Sequence, residues 1–358
     1  MRKRGINIRT ILSCLLGLLL LGCSVHEWPK TQGVKHKFTL HMNFDTVMDV
    51  HQIIEYPNIT RTDNEKEYDL RYIVRAYAAD KSGNELDRQH EAEFIFSKDA
   101  IHNDSLELTA DLELEEGNYR FFAWVDYVSA GTTKHKFYNT DNFASIKLNG
   151  DKHYGSTDFR DAYRGEAPTT IIPISKGVVN EVTIPMERPL AKFNVISTDL
   201  EEFISKTISR REEKEREARS RGIELYTTEE SRAVKLDEFR IVFAYESNVS
   251  NEFNQFTNRP GWIVTGLNFE SSILKLSDEE AELGFDYIFI NGTETSTDIR
   301  IYVYDRDDEL VAKSNIITVP LVRSKLTTVR GTFLTTMASG GVGISPGFTG
   351  THNFYVKD

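Results

Sequence analysis

Leu106-Glu107-Leu108-Thr109-Ala110-Asp111-Leu112-Glu113-Leu114 alternates apolar and polar residues without a break. A period of two places the five apolar side chains on one face of a β-strand and the four polar ones on the other. A polar turn at 115–118 follows, and an aromatic-rich run occupies 119–127. This stretch predicts a β-hairpin with one buried face, and it sets the expected class of the whole chain.

Strand-like segments recur on both sides of this hairpin. They come at short spacing and without helices between them, which favours antiparallel sandwiches over a parallel α/β sheet. The predicted strands are 37–44, 70–79, 91–96, 170–174, 178–186, 191–195, 236–245, 262–269, 285–290, 299–305, 315–319, 325–334 and 348–356. The polar, glycine-containing residues 141–163 are predicted to form a long excursion between strands.

One charged segment interrupts the second set of strands. Thr198-Asp199-Leu200-Glu201 fits a capping box, and a short apolar stripe at helical spacing follows it. Beyond Ile208 the stripe ends and acidic residues precede basic ones by four positions, which stabilises an exposed helix. These pairs are Glu212 with Arg216, Glu215 with Arg219 and Glu217 with Arg221. The pattern predicts a solvated, inserted helix near 199–221 that stops at Gly222, with docking of a partner as the alternative.

The first 23 residues predict the compartment. Four basic residues precede an apolar run at 11–21, the layout of a secretory signal, and Gly22-Cys23 resembles a bacterial lipobox. We therefore expect a signal peptide at 1–22, acyl chains such as palmitate on Cys23 and a lipidated tether at 23–36. An uncleaved signal anchor and an ordinary secretory cut are the alternatives.

Composition narrows the class of protein. Hydrophobic residues make up 39% of the 358 residues and aromatic residues 11%, enough for a sizeable core. Residues 23–358 hold 39 basic against 55 acidic residues, a balance that repels nucleic acid. The two cysteines are Cys14 and Cys23, so a chain cleaved before Cys23 has no disulfide and no thiolate metal site.

Motifs that could carry chemistry are weak. Residues 343–347 match G-x-S-x-G, but glycine-rich coil precedes them and Pro346 stands where the helix after a nucleophile should begin. The acidic cluster Asp305, Asp307 and Asp308 is expected in a solvated turn, with Ca²⁺ binding as the alternative. The nine histidines form no metal-binding motif. We predict no catalytic residue, no cofactor-binding residue and no metal ligand, hence no enzyme.

Aromatic residues in strand patterns leave two interpretations open. Trp124 and Trp262 are expected in the core or between sheets. The alternative is an exposed sugar-binding platform, to which Tyr302 and Tyr304 could also contribute.

Four segments together resemble one known family. They are the signal with its lipobox, residues 116–124 (EGNYRFFAW), residues 188–195 (RPLAKFNV) and residues 340–347 (GGVGISPG). The chain resembles the fimbrillin-related lipoproteins of Bacteroidales, and most of all their minor or anchor fimbrial subunits. This resemblance implies an all-β chain of two tandem transthyretin-like antiparallel β-sandwich domains, at 37–187 and 188–335. The charged helix near 199–221 is an insertion in the second domain, and 336–358 is a glycine-rich tail with a terminal strand.

The resemblance also implies a function. It predicts a structural fimbrial subunit, anchor or minor component, held at the outer membrane and cell surface by its lipid and serving cell adhesion. Its partners would be other fimbrial subunits, joined by β-strand exchange through a sheet groove or through 348–356. Stalk subunits of this family are opened by cleavage at an arginine, for which Arg61 and Arg88 are candidates. The alternative function is a surface glycan-binding β-sandwich lipoprotein.

Overall fold

The structure is a computed structural model that describes residues 36–44, 68–82, 89–99, 108–150, 152–167, 172–175, 180–225, 233–292, 294–337 and 352–355. These residues form strands and one α-helix, so the prediction of an all-β chain with one inserted helix is confirmed. The strands of the N-terminal half are β1 (His36–Phe44), β2 (Tyr68–Ala78), β3 (Ala92–Asp99), β4 (Leu108–Leu114), β5 (Gly117–Ser129), β6 (Tyr138–Asn139), β7 (Ile146–Leu148), β8 (Ala162–Glu166), β9 (Ile172–Ile174) and β10 (Asn180–Glu187).

The C-terminal half contains the α-helix and the remaining strands. Its strands are β11 (Leu190–Ser197), β12 (Arg240–Tyr245), β13 (Val249–Ser250), β14 (Glu252–Asn254), β15 (Arg259–Pro260), β16 (Ile263–Val264), β17 (Asn268–Ser272), β18 (Leu274–Lys275), β19 (Ala281–Phe289), β20 (Glu294–Tyr304), β21 (Leu310–Lys313), β22 (Ile317–Val322), β23 (Leu326–Gly331) and β24 (His352–Tyr355). The helix α1 spans Leu200–Ser220, and short 3-10 helices lie at Asp158–Arg160 and Leu236–Glu238.

The two halves share one topological arrangement. In the N-terminal half the sheet order is β3-β2-β5-β8-β10-β1-β4, with β9 also paired to β5. Its first strand, β1, lies between β10, to which it is parallel, and β4, to which it is antiparallel. In the C-terminal half the first strand, β11, likewise lies between parallel β23 and antiparallel β19. These parallel pairs require long crossovers, which the strand pattern of the sequence did not reveal.

The predicted hairpin at 106–127 is wrong in its pairing. Both strands form, but β4 pairs with β1, whereas β5 pairs with β2, β8 and β9. Leu112 and Leu114 of β4 face the same apolar core as Tyr119 and Phe121 of β5. The apolar faces of β4 and β5 are therefore buried against each other across one core. The connection at 115–116 passes from one side of that core to the other, and β5 does not pair with β4.

The C-terminal half is built from two sheets around one core. One sheet has the order β18-β19-β11-β23-β24 and the other β17-β12-β20-β21, with β22 also paired to β20. Alternate residues of β12, Ile241 and Phe243, and of β20, Ile301 and Val303, are buried in the core between them. This alternation is the period-two pattern that the sequence predicts for half-buried strands.

A third core joins the two halves. It contains Phe122 and Trp124 from β5 together with Phe253, Tyr287 and Phe289 from the C-terminal half. Because the odd-numbered neighbours of Trp124 in β5 face the other core, this strand is buried on both faces. A small sheet of order β15-β14-β7-β6 also combines strands of both halves. The predicted excursion at 141–163 is therefore an ordered part of the junction.

A β-bulge turns β19 toward this junction. The pairing with β11 shifts register after Val195, opposite Gly284. Before the bulge the odd-numbered Ala281 lies in the C-terminal core, and beyond it the even-numbered Ile288 does. The extra residue thus directs Phe285 and its odd-numbered successors into the third core, since a one-residue shift exchanges the two faces of a strand.

The helix forms where it is predicted, but its first turn differs. Asp199, not Thr198, is the N-cap, and its side chain makes no capping hydrogen bond, so the capping-box prediction is wrong. The Asp199 carboxylate instead accepts hydrogen bonds from the backbone and hydroxyl of Thr335, both at 2.8 Å. Tertiary contacts with 334–335 have replaced the local cap. Gly222 adopts φ 75° immediately after the C-cap residue Arg221, as expected of a stop.

The charged face of α1 makes ion pairs with residues outside the helix. Of the three predicted pairs, Glu215 with Arg219 is present at 2.5 Å. Lys214 Nζ lies 2.6 Å from a carboxylate oxygen of Glu309, and Arg211 pairs with Glu238. The exposed pair of Lys214 with Glu309 contributes little, so the helix depends mainly on its buried apolar residues, among them Leu200 and Phe203.

A close approach of strands at Gly165 leads to a first prediction. A Cβ atom at this position of β8 would overlap Met186 Sδ, and it would lie 2.5 Å from Ile184 Cγ2 and 3.0 Å from the backbone oxygen of Pro185. We expect Gly165→Ala to lower the free energy of unfolding by about 1–3 kcal/mol, because the backbone oxygen and the buried side chains must shift. Chemical denaturation measures this change, and an unaltered unfolding midpoint would contradict it.

Candidate functional site

One edge strand is the first candidate for assembly. Within the described part of the chain, β24 pairs with β23 alone, in parallel, from Thr327 opposite His352 to Arg330 opposite Tyr355. A terminal strand was predicted at 348–356, and its described part, His352–Tyr355, is a strand. The residues that connect it to β23 include 338–351, which lie outside the described residues. The place next to β23 can thus be filled through main-chain hydrogen bonds, which carry no sequence requirement of their own.

The strand that follows the predicted tether is internal to its sheet. β1 is hydrogen-bonded on both sides, to β10 over residues 38–44 and to β4 over residues 36–42. The Thr39 hydroxyl also donates to Asp111 Oδ1 at 3.1 Å. Removing β1 would leave unpaired backbone groups along both neighbours, which is the kind of groove that an added strand fills.

Trp124 and Trp262 have different environments. Trp124 is completely buried, with its ring centroid 5.7 Å from that of Tyr138 and 6.2 Å from that of Phe253, as predicted. The same prediction for Trp262 is wrong, because its side chain is 70% exposed. Trp262 precedes β16, which forms a two-stranded ribbon with β13, so neither sheet of the C-terminal core covers it. The adjacent Ile263 is 55% exposed.

Tyr302 and Tyr304 form a short aromatic ladder on the outer face of β20. Their ring centroids are 6.5 Å apart with planes 21° from parallel, and both side chains are half-buried. The guanidinium carbon of Arg240 lies 4.6 Å from the Tyr304 centroid, and Lys313 Nζ lies 5.5 Å from that of Tyr302. The cations therefore cover part of the two π-faces that a sugar ring would stack on.

The junction contains a buried polar network that sequence reasoning missed. The Asp286 carboxylate accepts hydrogen bonds from Arg160, from Tyr245 Oη at 2.5 Å and from His153 Nε2 at 2.5 Å. Arg160 also donates to the carbonyl oxygens of Tyr154 at 2.7 Å and Tyr287 at 3.1 Å. The N-terminal excursion and the C-terminal strand β19 are thus joined by a nearly solvent-free ion pair.

Electrostatics of this network follow from its geometry. Burial alone would raise the pKa of Asp286, but the Arg160 guanidinium and His153 outweigh it and hold that pKa below its ordinary value. Burial lowers the pKa of His153, and Arg160 adds to the effect against the opposing pull of Asp286. The lowered pKa favours the neutral imidazole, and its tautomer with a proton on Nε2 donates to Asp286.

Two further contacts connect the same segment to the start of the C-terminal half. Arg188 Nε donates to both carboxylate oxygens of Asp161, at 2.9 and 3.0 Å. Lys192 Nζ lies 2.6 Å from Asp158 Oδ1. The signal in the sequence was the run 158–164, DFRDAYR, in which four charged residues are interspersed with two aromatic residues and one alanine. Such a run is unusual for a loop that is only solvated.

Several candidates from the sequence lie outside the described residues. These are Cys23, Arg61, Arg88 and the motif at 343–347. The acidic cluster is described, and it lies in the turn between β20 and β21, as expected. There Asp305 Oδ1 accepts from the backbone amides of Asp307 at 3.0 Å and Glu309 at 2.9 Å.

The described residues contain neither a metal-binding cluster nor a helix that could cross a membrane. No group of three or more His, Cys, Asp or Glu in this part of the chain is arranged to hold a metal ion. Among the same residues, no helix combines the length and the apolar character that crossing a membrane requires.

Similar solved structures include two fimbrial proteins of Porphyromonas gingivalis. The fimbrial anchor protein Mfa2 matches at 12% identity and a TM-score of 0.37, over 78% of this chain and 82% of Mfa2. The tip fimbrial protein Mfa3 matches at 9% identity and a TM-score of 0.36, over 80% and 81%. At these low scores, the function of this chain has to be argued from its own residues.

No curated protein matches the chain. The model of a family of unknown function, DUF6562, matches residues 30–357, which is nearly the whole sequence. The chain therefore belongs to the DUF6562 family.

Proposed function

We propose that this protein is a non-enzymatic structural subunit of a surface fimbria, an anchor or minor component that joins its neighbour by β-strand exchange. The observation that carries the proposal is β24, which occupies a sheet edge through one parallel ladder of four residue pairs. A corresponding strand of a neighbouring subunit can form the same main-chain hydrogen bonds with β23. The resemblance of 116–124, 188–195 and 340–347 to fimbrillin-related lipoproteins supports the same role.

The proposed anchor is a lipid on Cys23. One acyl chain binds a membrane only marginally and reversibly, whereas several chains anchor stably. A lipidated Cys23 would place the protein at the outer membrane, and the 23–35 segment would connect the lipid to β1. The partners proposed are therefore the membrane, through this lipid, and other fimbrial subunits, through exchanged strands.

Proline substitution in β24 tests the exchange. We expect Asn353→Pro combined with Phe354→Pro to reduce fibre-associated protein on the cell surface at least about tenfold, because prolines cannot donate to a strand ladder. Asn353→Ala combined with Phe354→Ala is the matched control and should retain most of the signal, since exchange relies on the main chain. Immunogold electron microscopy of cells measures both variants.

Two further measurements complete that test. The proline variant is purified and its unfolding midpoint is compared with that of the alanine variant, so that a folding defect is recognised. Cys23→Ala should release labelled fibres into the medium. Cell-held fibres at wild-type density in both the proline and the Cys23→Ala variants would refute the proposal.

A second function is favoured by one observation. Trp262 is 70% exposed beside an exposed Ile263, so this ribbon offers a free aromatic face of the kind that stacks on sugar rings. The alternative proposal is a surface glycan-binding lipoprotein. It predicts glycan-array signals that Trp262→Ala abolishes. Tyr154→Ala is the control, because Tyr154 is an aromatic residue elsewhere that is 47% exposed, and this variant should leave the signals unchanged. An array without signals would eliminate it.

A further inference from the structure

A second charged cluster at the junction has one cation too many. Arg120 of β5, Arg164 of β8 and Arg323, which follows β22, alternate with the carboxylates of Glu166 and Glu187. Arg120 pairs with Glu166, and Arg164 lies 3.3 Å from Glu166 Oε2 and 2.8 Å from Glu187 Oε1. We call these five residues the arginine cluster. Three guanidinium groups face two carboxylates, so the cluster itself carries a net charge of one positive unit.

Arg323 is the arginine of the cluster whose positive charge is least compensated. Its ion-pair contact is with Glu187 Oε1, which lies 3.9 Å from its Nη1. That oxygen already accepts from Arg164 at 2.8 Å and from the Asn258 amide at 3.1 Å. Arg323 donates a hydrogen bond to the neutral Asn258 Oδ1 at 2.7 Å. Its charge is therefore compensated less than those of the other two arginines.

Unused donors lie at the same place. The Nε groups of Arg120, Arg164 and Arg323 are buried and have no hydrogen-bond acceptor among the described residues. Arg164 as a whole is only 5% exposed. Burial and the nearby Arg164 charge lower the pKa of Arg323, although Glu187 opposes them. Because a guanidinium keeps its proton in proteins, the excess charge persists at a cost in free energy.

We propose that the arginine cluster binds the carboxylate group of a small ligand at Arg323. One monovalent carboxylate neutralises the cluster, whereas a dianionic phosphate would overshoot by one charge. The planar fork of an arginine matches a carboxylate with two parallel hydrogen bonds. The Arg323 side chain is 13% exposed, so part of it can be reached from solvent.

Both halves of the protein contribute to this site. Arg120, Arg164 and Glu187 come from the N-terminal half, and Arg323 and Asn258 come from the C-terminal half. A ligand held between them binds only the native arrangement and therefore stabilises the junction. Such a carboxylate can belong to an acidic sugar or to a peptide terminus, and the choice of probes separates these two sources.

The test is calorimetric titration of the purified protein with glucuronate and with N-acetylglycine. Ionic strength is kept constant with chloride, and inorganic phosphate is the third probe. We expect saturable binding of at least one carboxylate and binding weaker by about fivefold or more to Arg323→Met, which retains the apolar stem but loses the fork. Arg210→Met removes an exposed charge on α1 and should bind like the wild type.

The outcomes separate the two carboxylate sources from a failed proposal. Tighter binding of glucuronate identifies an acidic sugar as the source, and tighter binding of N-acetylglycine identifies a peptide terminus. Failure of both carboxylates to saturate, equal binding of phosphate, or unchanged affinity in an Arg323→Met protein with wild-type unfolding midpoint would each overturn the proposal. Arg323→Lys adds a check, because it keeps the charge without the fork and should bind with intermediate affinity.

Discussion

Asp286→Asn is expected to lower the free energy of unfolding by about 3–5 kcal/mol, the range for breaking a buried ion pair by removing one partner. Asparagine is nearly the same size as aspartate, so the loss would be of charge and not of volume. Arg160, which is 3% exposed, would then keep a positive charge without its carboxylate. His153 and Tyr245 would donate to a neutral amide.

Denaturant unfolding followed by tryptophan fluorescence, to which the buried Trp124 contributes, measures this effect. The matched control is Asp278→Asn, which removes an equal charge from a carboxylate that is 93% exposed and paired with Lys275. The control should leave the unfolding midpoint unchanged. Equal midpoints for Asp286→Asn and the wild type would show that the junction network contributes nothing to stability.

Truncating Phe253 to alanine is the second large effect that we expect. Phe253 lies in β14 with its ring centroid 5.4 Å from that of Phe289 and is completely buried in the third core. Its loss should cost about 3–5 kcal/mol, because a phenyl ring is removed and a cavity remains in the third core. The measurement is again the free energy of unfolding.

Ile263→Ala is the control in the same segment of the chain. Its side chain is 55% exposed, so truncation removes little buried area and should change stability by less than about 0.5 kcal/mol. If both variants lost the same free energy of unfolding, any truncation within residues 249–264 would be destabilising. The loss could then not be attributed to the contact of Phe253 with the N-terminal half.

Local patterns predicted the strands well and their pairing poorly. Alternation between Leu108 and Leu114 reports which face is buried, and β4 forms as expected. Its partner is β1, far earlier in the chain, and no local pattern contains that information. The short connection at 115–116 suggested a hairpin because adjacent strands usually pair, but here the two apolar faces lie on opposite sides of one core.

Among the candidate site residues, local patterns likewise failed to predict contacts between distant parts of the chain. Strand-like patterns placed both Trp124 and Trp262 in the core. Trp124 is buried there, whereas Trp262 lies beside a ribbon with no covering sheet. Arg160 and Asp286 are separated by 126 positions in the sequence, and their complementarity appears only when the halves pack. The Asp199 side chain binds Thr335, a distant residue, in place of the local capping hydrogen bond that the sequence predicted. Cys23 and the boundaries of the two proposed domains stay predictions.

The position of β1 determines how the N-terminal half would respond to mechanical load. A pull on the residues before His36 acts along the axis of a strand that is bonded to β10 on one side and β4 on the other. Its main-chain bonds run across the strands, so they would be sheared together instead of being peeled off one at a time. A tether attached there would therefore resist traction better than one attached to an edge such as β24.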